Sequence, residues 1–239
     1  MARVTPEGIR GVVGPVVFYV VDGIGYVKAK PGKRKRKRGQ PQDPLNTIFG
    51  TVSKYGSKMI KLMKTSFLFP FKRGTYNNLR GWMRNQYAQN YQEPVWDIAS
   101  NNGMCQVNAG IDLRDFLKTS ITLSDRGSGN IGAGFAPINP VKDLKAPLRT
   151  SKVNIKLIAV SSPFGTRGAS WGFCLKEYQF DYNNTLLPEQ DFILETNAIA
   201  GDIAMVTIAI EYQMAGSNLY STDPGWLPAA VVGMGKIKN

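Results

Sequence analysis

The residues of this sequence that are best suited to chemistry are basic. Six consecutive Lys and Arg side chains form one tract: Lys33, Arg34, Lys35, Arg36, Lys37 and Arg38. Like charges in a row repel one another and cannot be buried unpaired, so such a tract is typical of a loop or arm with an anionic partner. The tract therefore predicts a contact with nucleic acid or another polyanion. A solvated linker is the alternative interpretation.

A second basic set follows the tract. Lys54, Lys58 and Lys61 are separated by steps of four and three residues, which places them on one face of a helix. Apolar residues recur at helical spacing between 45 and 63, and Asp43-Pro44 is a good helix start, so we predict an amphipathic helix from about Pro44 to Lys64. These three lysines are candidate polyanion contacts, and a solvated lysine face is the alternative.

The same sequence offers little for catalysis. It contains no histidine, which excludes Ser-His-Asp and Cys-His mechanisms. Two carboxylate pairs, Asp112 with Asp115 and Glu189 with Asp191, have no partner group at a recognised spacing. The segment Gly127 to Gly132 has the glycines of a phosphate loop but not its lysine. We predict a protein that is not an enzyme, with no catalytic residue, no metal ligand and no cofactor.

The two cysteines are far apart in the sequence. Cys105 and Cys174 belong to no paired motif, so they indicate neither a zinc site nor a disulfide framework. We expect both to be buried free thiols.

Charge is distributed very unevenly along the chain. Residues 1–90 contain 18 Lys or Arg and 3 Asp or Glu, whereas residues 91–239 contain 12 bases and 14 acids. Such a division is expected when one part of a protein holds a polyanion and the other packs against protein. A merely soluble basic surface is the alternative. At 239 residues and 43% hydrophobic composition, the chain can form one large or two small domains.

The apolar patterns predict an α+β fold: an N-terminal β-hairpin and a helical hairpin followed by a mainly antiparallel β-sandwich. The β-hairpin is indicated by Val16–Val21 and residues 24–30 around Asp22-Gly23. A second helix is expected from Thr75, as its cap, to about Asn90. Beyond residue 100, short alternating runs separated by turn residues indicate strands at 120–123, 153–161, 170–182, 191–196 and 203–212.

These elements give a predicted division into a basic hairpin and helical module (1–95), a β-sandwich domain (96–215) and a C-terminal arm (216–239). A lone hairpin is marginal in water, so we expect this one to be completed by a sheet or by a neighbouring subunit. No run of 18 apolar residues indicates a membrane span, and the opening residues lack the pattern of a secretory signal. We expect cytoplasmic synthesis without a signal peptide, with a virion as a possible destination.

Several of these residues together resemble a known family. The order Gly8-Ile9-Arg10-Gly11, then residues 13–17, a short hairpin ending at Tyr26-Val27, a basic tract with proline, and a helix rich in Phe and Lys is similar to an uncharacterised domain family common in Bacteroidota. The resemblance implies an N-terminal glycine-rich hairpin and basic segment before helices and a β-sandwich-like half, and it implies no activity. A weaker likeness is to small viral coat and phage structural proteins, in which a basic arm meets packaged nucleic acid.

Two hypotheses of function remain open on the sequence. One is a structural protein of a multi-subunit assembly, such as a phage virion or phage-derived particle, whose partners are copies of itself or other subunits. The other is a monomeric nucleic-acid-binding protein that uses the Lys33–Arg38 tract, the lysine face of the first helix, and Tyr and Trp residues as stacking partners.

Overall fold

The computed structural model describes residues 2–6, 8–21, 23–32, 44–71, 73–90, 103–162 and 171–237. The chain forms two compact units, Met1–Asp43 and Pro44–Asn239. These bounds differ from the three-part division expected from the sequence. Among the described helices, none combines the length and apolarity needed to cross a membrane.

The first unit is a four-stranded antiparallel meander in which each strand pairs with the next along the chain. Its strands are β1 (Ala2–Thr5), β2 (Gly8–Val13), β3 (Val16–Val21) and β4 (Ile24–Ala29). The predicted hairpin is confirmed as β3 and β4, with Val21 opposite Ile24. The turn between them needs Gly23, whose φ of 80° is accessible to glycine without a steric penalty. None of the described residues in this unit is buried.

The second unit begins with two long helices and continues into two antiparallel sheets. Its helices are α1 (Pro44–Met63), α2 (Arg73–Asn90), α3 (Leu113–Phe116) and α4 (Pro140–Asp143). Its strands are β5 (Cys105–Gln106), β6 (Ile121–Gly127), β7 (Asn130–Phe135), β8 (Thr150–Ser162), β9 (Gly172–Asp181), β10 (Gln190–Glu195), β11 (Ile203–Met214) and β12 (Ala229–Lys236). The predicted α+β fold with a mainly antiparallel strand content is confirmed.

A five-stranded sheet with the order β5-β12-β11-β8-β9 forms the middle layer of this unit. On one side it packs against the three-stranded sheet β10-β7-β6, and on the other against α1 and α2. Strand β11 shows the consequence for the sequence: Ala204, Val206 and Ile208 face the smaller sheet, whereas Ile203 and Met205 face the helices. Both alternating faces are therefore apolar, which explains why β11 is almost continuously hydrophobic.

The helix layer follows from an amphipathic sequence. Tyr55, Met59 and Met63 of α1 are buried against the sheet, and a 3-10 turn at Lys64–Ser66 extends the helix. The Tyr55 hydroxyl donates to the Ser162 carbonyl oxygen at 3.1 Å, which ties α1 to the end of β8. Helix α1 begins at Pro44, as predicted.

Helix α2 begins earlier than predicted. It starts at Arg73, so Thr75 lies in its first turn and does not cap it. The buried Thr75 hydroxyl instead donates to the Val107 carbonyl oxygen at 3.0 Å, across 32 residues of sequence. A buried hydroxyl needs a hydrogen-bond partner, and here tertiary packing supplies it in place of a local capping bond.

The glycine-rich segment between β6 and β7 is a hairpin turn, and Gly129 shows why glycine is required. Its φ is 77°, and a Cβ at this position would collide with the backbone of Ala198. The Gly129 carbonyl oxygen accepts a bond from the Thr196 hydroxyl at 2.9 Å. Gly129 therefore serves a close approach between this turn and the backbone of the loop after β10.

The C-terminal region also differs from the expected arm. Residues 229–236 form β12, which lies between β11 and β5 and has buried residues along nearly its whole length. Its Ala- and Gly-rich sequence has no strand periodicity because both of its faces are covered.

Candidate polyanion interface

The predicted contact residues divide into two sets. The tract Lys33–Arg38 lies outside the residues that the structure describes. Lys54, Lys58 and Lys61 are all exposed on α1, on the face opposite its buried apolar residues. The structure therefore places these three lysines in an outward-facing row on α1.

The helix layer is entirely basic in formal charge. Residues 44–90 contain eight Lys or Arg and no Asp or Glu. Within α2, Arg84 is exposed, and the Arg80 guanidinium donates through Nη2 to the Ser57 hydroxyl of α1. No carboxylate of this segment offsets these cations, so the formal charge of the segment is uniformly positive.

An aromatic group that sequence analysis did not single out lies beside the lysine row. The Lys58 ammonium is 5.2 Å from the ring centroid of Trp171, a cation–π distance. Trp171 also contacts the ring of Tyr55, with centroids 5.2 Å apart. Trp171 immediately precedes β9, and the pairing of Phe173 with Val160 places Phe173 on the same, helix-facing side of the sheet. Only the fold brings residues 58 and 171 together.

Further along the same sheet face, the apolar contact with the helices gives way to a cluster of charges. The Lys156 ammonium is 2.7 Å from Glu211 Oε1 and 3.8 Å from Glu177 Oε1, and it donates to the Ser66 carbonyl oxygen at 3.2 Å. Glu211 is 3% exposed, and this burial raises its pKa, while the hydrogen bonds from Lys156 and Asn154 oppose the rise. The pairing keeps a carboxylate at a site where an isolated one would be costly.

One carboxylate of each pair considered for catalysis has a structural partner. Asp112 caps α3 by accepting from the Arg114 backbone amide at 3.0 Å, and hydrogen bonding from the Arg114 side chain lowers the Asp112 pKa. Asp191 is paired with Arg126 at 2.6 Å across the three-stranded sheet. Each therefore has a role in local structure or surface pairing.

The two thiols lie in different surroundings. Cys105 is buried, as expected, and burial raises its pKa to about 11. Cys174 on β9 is only half-buried. Both are free, and they differ in access to solvent.

Neither models of known protein families nor curated proteins match this chain. Its function is therefore inferred from the charges and contacts of its own residues.

Proposed function

We propose that this chain is a non-enzymatic structural subunit of a multi-subunit assembly whose basic segments face nucleic acid or another polyanion. The class of assembly that we propose is a phage virion or phage-derived particle. The proposal rests chiefly on one feature of the first unit: it is a strand-rich sheet in which no described residue is buried.

Several apolar side chains of that sheet are largely exposed to solvent. Val4 is 84% exposed, Val27 60% and Ile24 59%. A sheet generally needs a covered hydrophobic face for stability, and large exposed apolar patches mark contact surfaces. Neighbouring subunits would supply the missing cover. The absence of acids from residues 44–90 supports the second part of the proposal, a polyanion partner for the helix layer.

The first test is the mass of the protein in solution. Nuclease-treated protein is passed over a size-exclusion column with light scattering at low and high salt, with absorbance at two wavelengths to detect nucleic acid. We expect particles many times heavier than the 26.3 kDa chain that persist without nucleic acid. A monomer at both salt concentrations would overturn the assembly proposal.

The second test locates the contact in the first unit. Replacing Ile24 and Val27 by Thr keeps β-branched strand formers but removes apolar surface, so we expect the particles to dissociate. The matched control replaces Leu148 and Leu219, which are 91% and 74% exposed in the second unit, by Ser. Equal dissociation by both variants would show that the first unit is not the specific contact.

A monomeric nucleic-acid-binding protein is the second candidate, and the uniformly basic helix layer favours it. Its affinity should fall steeply with salt, because each neutralised phosphate contributes roughly −0.7 to −0.9 to the slope of log affinity against log salt. Six contacts from Lys33–Arg38 would give a slope of about −4 to −5. Replacing Lys54, Lys58 and Lys61 by Gln should reduce the steepness by about 2 to 3. An unchanged slope would exclude the α1 lysines as contacts.

A further inference from the structure

We infer that the polyanion held by the helix layer is a single-stranded nucleic acid, whose bases stack on the aromatic edge formed by Trp171 and Phe173 while its phosphates lie along Lys54, Lys58 and Lys61. This inference rests on the polyanion contact in the proposed function and names its partner.

The first support is the exposure of Phe173 and Leu175, which follow the half-buried Trp171 along this edge. Helices α1 and α2 cover the apolar interior of the five-stranded sheet, but Phe173 and Leu175 on the helix-facing side of β9 remain 41% and 38% exposed. Their partners on β8, Val160 and Ile158, are fully buried. The helix layer therefore ends over β8 and leaves an apolar ledge along β9.

The second support is the contact between the lysine row and Trp171, which lies next to this ledge. Lys58 lies over the Trp171 ring, and Lys54 and Lys61 share its helix face one turn before and after it. Cations that track a backbone next to aromatic rings that accept bases are the combination that single strands require. A duplex keeps its bases stacked inside, so it could use the lysines but not the rings.

The third support is the spacing of the rings. Trp171 and Phe173 are two residues apart in extended chain on one face, which separates their Cα atoms by about 6.6 Å. Exposed aromatic side chains on a sheet surface are a known means of stacking two or three bases. The apolar ledge ends at Glu177, which follows on the same face and would repel phosphate.

The test compares two probes on the full-length protein: a labelled oligothymidylate of about twenty nucleotides, longer than a typical single-strand site, and a duplex of the same length. We expect tighter binding of the single strand. Phe173→Leu keeps the apolar volume but removes the ring, so it should weaken single-strand binding by about tenfold and leave duplex binding unchanged.

Two matched variants separate stacking from folding. Phe173→Tyr restores an aromatic ring and should restore affinity, and Leu175→Ala changes a neighbour of similar exposure and should have little effect. Lys58→Gln should lower the steepness of the salt dependence by about 0.7 for the single strand.

Equal or tighter binding of the duplex, or full affinity in Phe173→Leu, would overturn the inference while leaving the polyanion contact in place. Failure of both probes to bind at low salt would overturn the inference and the polyanion contact together. The assembly itself is tested separately by light scattering.

Discussion

Strands β3 and β11 have similar apolar sequences and opposite surroundings. Strand β3 reads Val-Val-Phe-Tyr-Val-Val, and all six residues are half-exposed. Strand β11 begins Ile-Ala-Met-Val-Thr-Ile, and its first ten residues are buried. The difference lies in what covers each sheet within its own unit, since β11 has a layer on both faces and no described residue of the first unit is buried. Apolar sequence therefore predicts a strand, but the layers around it determine its burial.

The largest difference in stability is expected from replacing one lysine in the five-stranded sheet and one in the four-stranded sheet of the first unit. Lys156→Met should lower the free energy of unfolding by about 3–5 kcal/mol, because it leaves the buried Glu211 carboxylate without its cation. Lys28→Met in β4 should cost less than about 1 kcal/mol, since Lys28 is exposed and lies 5.1 Å from the Tyr19 ring centroid. Denaturant unfolding followed by circular dichroism measures both. Similar losses would contradict the distinction between the two sheets.

The pH dependence of the stability of Lys156→Met gives a second measure of the same difference between the two sheets. The pKa of Glu211 is raised above its ordinary value of 4.5 by burial, and removing Lys156 should raise it further. A folded-state pKa above the unfolded one adds stability at low pH, and that contribution is lost as pH rises through the folded pKa. Lys156→Met should therefore regain stability as pH falls from neutral towards 4.5.

The control for this pH effect adds Glu211→Gln to Lys156→Met. The amide introduced by this second substitution does not titrate, so the double variant should lose the additional pH dependence. If the single and double variants have parallel stability profiles, Glu211 is not the group responsible.

A smaller effect is expected from truncating one apolar side chain in each strand. Ile208→Ala should cost about 2–5 kcal/mol, because Ile208 is fully buried between two sheets and leaves a cavity. Val17→Ala in half-exposed β3 should cost about 1 kcal/mol or less in the dissociated chain. A loss of several kcal/mol at Val17 would show that β3 is covered within a single chain.

The smallest expected effect compares the two edge strands of the five-stranded sheet, β5 with its buried Cys105 and β9 with its half-buried Cys174, by thiol labelling. Cys174 on the edge strand β9 should react with a thiol reagent in the native protein, whereas Cys105 should react only after unfolding because it is buried with a pKa of about 11. Cys174→Ser should abolish the rapid phase. Rapid labelling that persists in this variant would mean that Cys105 is accessible.

Much of the fold was predictable because its signals are local. The hairpin around Gly23, helix α1 and strand β11 follow from turn chemistry, helical spacing and β-branched residues. Strands β7 and β12 were missed because their Ala and Gly residues leave no alternating apolar pattern. Gly132 and Gly134 of β7 lie against side chains of the neighbouring strand β6, and β12 is buried on both faces. Their existence depends on neighbours that are remote in sequence.

The candidate interface was predictable only in part, for the same physical reason. Helical spacing alone places Lys54, Lys58 and Lys61 outward, because that face is a local property of α1. The contact of Lys58 with Trp171 spans more than a hundred residues and depends on how α1 lies on the sheet. The ion pair of Lys156 with Glu211 depends on strand pairing in the same way.

The ties between the helix layer and β8 have a mechanical consequence. Tyr55 in α1 holds the Ser162 end of β8, and Lys156 in the middle of the same strand holds Ser66, just beyond the end of α1. A load on the lysine face of α1 would therefore be passed by these ties to β8, which is hydrogen-bonded to β11 on one side and β9 on the other. Ladder bonds lie perpendicular to the strands, so a pull along β8 must shear many of them together. Helix α1 is thus attached to an interior strand, where a pull along the strand loads two ladders at once.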